Sequence, residues 1–200
     1  MRRFAACFVA LSCWILPALG QGSVYVSGGL GFPFGPDTFK ELWNPGWGVG
    51  SGFAVAIPFV KGIELTASVQ YNRFPLDEDA ARGNLEAEEV LSGGGASILG
   101  VNGAIRLHLQ DAGVRPYALL GGGYYRLRAE DLSVASGGKR VTARFEPNSG
   151  VGLLSGAGVL YPVGASLELF AEFRAVYMLD EGADELFFPL RVGIALTVGH

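Results

Sequence analysis

From Ile63 to Asn72 apolar and polar residues alternate without a break. Ile63, Leu65, Ala67, Val69 and Tyr71 fall on one parity; Glu64, Thr66, Ser68, Gln70 and Asn72 fall on the other. A strand sends successive side chains to opposite faces, so this stretch is a strand with one apolar face; a helical period of about 3.6 would scatter both sets. The C-terminal segment repeats the pattern, with Leu190, Val192, Ile194, Leu196 and Val198 on one face and Arg191, Gly193, Ala195 and Thr197 on the other. Six further segments follow the same rule less cleanly. Together they predict eight strands near 23–34, 46–58, 62–74, 94–109, 115–130, 149–161, 165–178 and 187–198.

Composition narrows what these strands can build. Half of the 200 residues are hydrophobic, 17% are charged and 31 are glycine. A disordered chain is poor in apolar residues, so disorder is excluded. A helical membrane bundle needs apolar runs of about 20 residues, and only the N-terminus approaches one. There Arg2 and Arg3 precede the apolar run Phe4 to Leu16, Pro17 breaks it, and Ala18-Leu19-Gly20 supplies small residues for a peptidase. This reads as a cleaved signal peptide over 1–20, followed by one domain over 21–200. Both cysteines, Cys7 and Cys13, lie in the signal, so no disulfide or thiolate site is expected in the mature chain. Loss of Arg2 and Arg3 moves the formal charge from 15 − 19 = −4 to 13 − 19 = −6. An acidic chain of this kind is not expected to bind nucleic acid.

The connections sort by length. Tight links lie around Pro58-Phe59-Val60-Lys61-Gly62, Gln110 to Val114 and Tyr161 to Ala165, whereas 35–45, 75–93, 131–148 and 179–186 are longer and polar. Short and long links therefore alternate, as in an up-and-down barrel with one rim of turns and one of loops. Parity then sets the polarity of the wall. One face carries Glu64, Arg106, His108, Arg126, Arg128, Glu168, Glu172, Arg174 and Arg191 among many Gly and Ala, including Gly48, Gly50, Gly52, Gly100, Gly122, Gly156 and Gly158. The other carries Val49, Phe53, Leu99, Val101, Ile105, Leu107, Tyr117, Leu119, Leu127, Phe173 and Tyr177. Small residues with opposite charges suit a narrow lumen in which glycine makes room for arginine, and the aliphatic face suits lipid. The fold class expected is all-β, an eight-stranded antiparallel up-and-down transmembrane β-barrel. Aromatics at both strand ends fit two interfacial belts. Trp43, Trp47, Phe74, Tyr177, Phe187 and Phe188 lie beside the long loops, and Tyr25, Phe59, Tyr117 and Tyr161 beside the turns.

Three stretches resemble the small outer-membrane β-barrel family of Gram-negative bacteria, the OmpA- or OmpX-type eight-stranded domain. They are Arg115-Pro116-Tyr117 leading to Gly121-Gly122-Gly123, the strand end Tyr71-Asn72-Arg73-Phe74, and the closing Phe188-Pro189-Leu190-Arg191-Val192-Gly193-Ile194. The resemblance covers 21–200. It implies a cell outer membrane location, periplasmic termini, long loops outside, contact with outer-membrane lipid and lipopolysaccharide, and insertion by the barrel-assembly machinery. The chain departs from the family in ending Val198-Gly199-His200, where many members end in Phe.

The candidate sites follow from parity and loop composition. Glu64, Arg106, Arg126, Arg128, Glu168, Glu172, Arg174 and Arg191 are expected to form a lumen charge network that plugs the barrel. Oxygen-rich loops can hold Ca²⁺, and Asp77, Asp79, Asp180 and Glu181 are the candidates for a loop cation site, though without EF-hand spacing. Gly93-Gly94-Gly95 and Gly121-Gly122-Gly123 lead into no Gly-Lys-Ser/Thr, so they are not phosphate cradles. A lipid hydrolase needs Ser and His at the outer rim, but His108 is expected at the opposite end and His200 is the last residue. No catalytic residue, metal or cofactor is expected. The function expected is structural or surface-interacting, with a narrow solute channel and a lipid-modifying enzyme as alternatives.

Overall fold

The structure is a computed structural model that describes residues 22–85, 89–110, 112–136, 139–179 and 185–198. Residues 1–20, expected from the sequence to be a signal peptide, lie outside these residues, as do Asp180, Glu181 and His200. Eight long strands close a barrel: β1 (Gly22–Gly35), β2 (Gly46–Ala56), β3 (Ile63–Phe74), β5 (Ala96–His108), β6 (Arg115–Ala129), β9 (Asn148–Pro162), β10 (Leu167–Leu179) and β11 (Glu185–Val198). Each pairs antiparallel with the next along the chain, and β1 closes on β11 with Gly22 opposite Val198. Closure satisfies every ladder and leaves no free edge, which is the condition for strands to cross an apolar phase. The eight strands match the eight read from periodicity.

The long connections hold structure that alternation did not reveal. The link after β1 contains helix α1 (Asp37–Leu42). The link after β3 contains α2 (Glu78–Leu85) and strand β4 (Glu89–Ser92), and the link after β6 contains β7 (Leu132–Ser136) and β8 (Lys139–Ala143). Strands β4, β7 and β8 form a separate three-stranded antiparallel sheet. This sheet has its own small core, in which buried Ala81, Leu132 and Val134 pack with Leu76, Ala143 and Phe145. Indole Nε1 of Trp43 donates to the carbonyl of Gly94 at 2.7 Å, tying the first loop to the second. Gly94 has φ +84°, and a Cβ there would lie 2.7 Å from Leu76, so the close loop-to-loop approach requires glycine.

The wall is apolar outside, and the interior buries charged and polar side chains among apolar ones. Leu120, Val151 and Val192 are 68%, 61% and 61% exposed, whereas Gln70, Arg106, Glu172, Arg174 and Arg191 are all buried. A water-soluble barrel has the opposite arrangement, and lipid is the solvent in which this one is stable.

Candidate functional site: the barrel interior and its outer mouth

The interior is assembled from large side chains that lie over glycines on neighbouring strands. Tyr125 of β6 spans Gly100 of β5 and Gly152 of β9; an added Cβ would sit 2.5 Å from its ring at Gly100 and 2.9 Å at Gly152. Tyr117 covers Gly158, Tyr25 covers Gly52 and Phe170 covers Gly193, where an added Cβ would lie 2.5, 2.7 and 2.5 Å from the covering side chain. The glycine-rich face thus makes room chiefly for aromatic rings. Arginine uses the same space at Gly50, where a Cβ would meet Arg191 Nη1 at 2.9 Å, and at Gly156, beside Arg174. Gly100→Val is therefore expected to cost about 1–3 kcal/mol by overpacking, with much of the loss restored by adding Tyr125→Ala. The midpoint of urea unfolding in detergent micelles checks this, and a harmless single substitution would contradict the packing.

Ion pairs thread between the rings. Near the tight-turn end, Arg106 Nη1 donates to Glu64 Oε2 at 3.1 Å, and His108 Nε2 lies 3.1 Å from the same oxygen. The Arg106 guanidinium also lies 4.6 Å from the centre of the Tyr117 ring, a cation–π geometry. Arg115 pairs with Glu168. A polar cavity of about 160 Å³ is lined there by Glu64, Arg115 and Glu168 together with Ser23 and Thr197. Deeper in the barrel, Glu172 accepts from Arg174 and, at 2.9 Å, from the Tyr117 hydroxyl. Arg191 stands opposite Glu172 on the adjacent strand and is buried.

The structure brings Glu64, Arg106, Glu168, Glu172, Arg174 and Arg191 into the lumen and corrects two members of the expected network. Arg126 and Arg128 are exposed and share the outward parity of Leu120 and Tyr124. Arg126 stands opposite outward-facing Leu99, and Arg128 opposite Ser97. Tyr117, Leu119 and Leu127 turn inward instead of toward lipid, and Gly122 turns outward. Charge is not the mark of the lumen in this strand. In β6 these two arginines lie at the loop end of the outer face, while the narrow interior above Arg115 takes rings. Arg115 shares the parity of Tyr117, so a reading that puts Tyr117 outside misses it as a lumen residue.

The belts are corrected in the same way. Trp47, Tyr177, Phe59 and Tyr161 are exposed and Phe188 is half-buried, but Tyr25, Trp43, Phe74, Tyr117 and Phe187 are buried. Phe74 on β3 and Phe187 on β11 have ring centres 6.0 Å apart. Strands β1 and β2 lie between them in the wall, so these rings meet across the lumen. Gly31 of β1 leaves the space, since a Cβ there would lie 3.0 Å from the Phe74 ring. Above them Phe39 of α1 contacts Phe74 at 5.6 Å and Trp43 at 5.3 Å. Ile98, Val176 and Met178, all fully buried, complete this apolar layer at the loop end. Spacing alone could not reveal it, because the contact joins strands distant in sequence.

Of the loop acids, Asp77 is a helix cap: its Oδ1 accepts from the backbone N–H groups of Asp79 and Ala80, each at 3.1 Å. The Asp79 side chain is exposed and lies 4.0 Å from Arg82. Asp180 and Glu181 lie outside the described residues. Among the described residues, no group of three or more His, Cys, Asp or Glu side chains is arranged to hold a metal ion.

The fold is that of small eight-stranded outer-membrane barrels. Neisserial surface protein A aligns with a TM-score of 0.59 at 15% identity, over 88% of this chain and 98% of that one. A major outer membrane protein from Thermus thermophilus aligns at 0.54 and 12% identity, over 88% and 99%. Ail, the attachment invasion locus protein of Yersinia pestis, aligns at 0.51 and 16% identity, over 88% and 99%. No protein-family model and no curated protein sequence matches the chain.

Proposed function

We propose that the protein is a closed outer-membrane barrel with a structural or surface-contact role, its loop end outside and its termini in the periplasm. The observation that carries this reading is the apolar layer of Phe74, Phe187, Phe39 and Trp43 at the loop end of the lumen. Rings packed across a lumen already crowded by Tyr25, Tyr117 and Tyr125 support a barrel closed to solutes, with the ion pairs below them as struts. The folded loop elements α1, α2 and β4-β7-β8 offer a shaped surface, as a protein that makes contacts outside the cell needs. The name of Ail, an attachment invasion locus protein, fits the same kind of role. As in other barrels of this architecture, insertion would depend on the barrel-assembly machinery.

Two measurements test the proposal. In planar bilayers the purified protein is expected to give no large, porin-like conductance steps; such steps would transfer the reading to a solute channel. In cells, a cysteine introduced as Thr142→Cys in the loop sheet is expected to react with a membrane-impermeant maleimide. Labelling only after lysis would reverse the orientation.

A further inference from the structure

The charges in the middle of the lumen do not balance. Near the tight-turn end each arginine has its own carboxylate, Arg106 with Glu64 and Arg115 with Glu168. Deeper in, Arg174 and Arg191, both more than nine-tenths buried, have the single carboxylate of Glu172 between them. Its oxygens are already engaged: Oε1 accepts from Arg174 Nε, and Oε2 accepts from the Tyr117 hydroxyl. Arg191 makes no ion pair among the described residues. The next acid along β11, Glu185, is six residues away, about 20 Å at the rise of a strand. One positive charge is therefore left over at the centre of the barrel.

Donors without partners gather at that level. Arg174 Nη1, Arg191 Nη2 and the hydroxyls of Tyr25 and Tyr125 are buried and unpartnered among the described residues. Gly50, Gln70 and Gly100 are successive cross-strand partners on β2, β3 and β5. The Arg191 guanidinium lies over Gly50, and the Tyr125 ring lies over Gly100. Two strand spacings separate these glycines, about 10 Å, so both groups edge one space. Arg174 enters from β10 beside Gly156, and both arginines lie within electrostatic range of Tyr125. Gln70 Oε1 is an unpartnered acceptor in the same layer, but it carries no charge. A buried guanidinium without a counter-charge is strongly unfavourable in a low-dielectric interior, and an anion there gains both charge and hydrogen bonds.

We infer that the middle of the lumen binds one small monovalent anion of the halide type between Arg174 and Arg191. One excess positive charge selects a monovalent ion, since a divalent anion would reverse the imbalance. The crowding by Tyr25 and Tyr125 selects a small one. The site lies inside the barrel whichever end faces outward, so it does not depend on the proposed orientation. The test uses the whole mature protein, refolded from urea in zwitterionic micelles with sodium chloride replacing sodium gluconate at constant ionic strength. The unfolding equilibrium constant is expected to fall about tenfold when chloride reaches about ten times its dissociation constant. Its logarithmic slope should approach one ion per chain. Arg191→Gln removes the excess charge and is expected to abolish the slope, whereas Arg191→Lys keeps it. Crystals of wild type refolded in sodium bromide are expected to show an anomalous peak between Arg174 and Arg191, which decides the matter even if Arg191→Gln does not fold. A wild-type slope near zero, an equal slope in Arg191→Gln, or water without bromide at that position would overturn the assignment.

Discussion

Glu172→Gln is expected to destabilise the barrel by about 3–5 kcal/mol, the cost of breaking a buried ion pair from one side. Glu172 is 2% exposed and receives bonds from both Arg174 and the Tyr117 hydroxyl. Removing its charge leaves Arg174 and Arg191, 3% and 4% exposed, facing each other's charge in a low-dielectric interior. The glutamine can still accept from Tyr117, so the loss isolates charge from shape. Removing the partner as well, as Glu172→Gln/Arg174→Gln, is expected to cost less than the sum of the two single changes. Equilibrium unfolding in micelles measures all three variants. A single-variant loss below about 1 kcal/mol would mean that the pair is solvated and carries little of the fold.

Leu120→Arg is expected to cost about 2–4 kcal/mol in a bilayer. Leu120 lies in the apolar band of the outer wall, 68% exposed, opposite outward-facing Ile105 and Ser155. In water the same exposed position would tolerate arginine within about 0.5 kcal/mol. The substitution therefore separates a lipid-facing wall from a solvated one. Folding yield and unfolding free energy in lipid vesicles provide the readout, and an unchanged stability would contradict the inverted polarity. Arg126, further along the same strand and on the same parity, stands exposed toward the loop end.

Alternation over Ile63–Asn72 and Leu190–Val198 is legible because each of these strands has one lipid-facing and one interior face with different solvents. Register agrees in both: Leu65 stands opposite Ile105, and Leu196 opposite Val24 and Leu167. Parity alone also finds the lumen charges on such strands, Glu64, Glu172, Arg174 and Arg191. β6 defeats the same argument. Its inward residues Tyr117, Leu119, Tyr125 and Leu127 are as apolar as its outward ones, so neither face declares itself and charge is a misleading guide.

The loop elements are illegible for a different reason. β4, β7 and β8 have only four or five residues each, too short for a period to register, and β4 finds its partner in a different loop. The chain by itself determined the eight strands, their up-and-down order and the inverted wall, because each follows from local periodicity and link length. Only the tertiary structure decided which rings fill the lumen, that Phe74 and Phe187 meet across it, and that Arg126 and Arg128 face outward. Those outcomes depend on what stands opposite each residue after the barrel closes, and closure brings together positions that no local spacing relates.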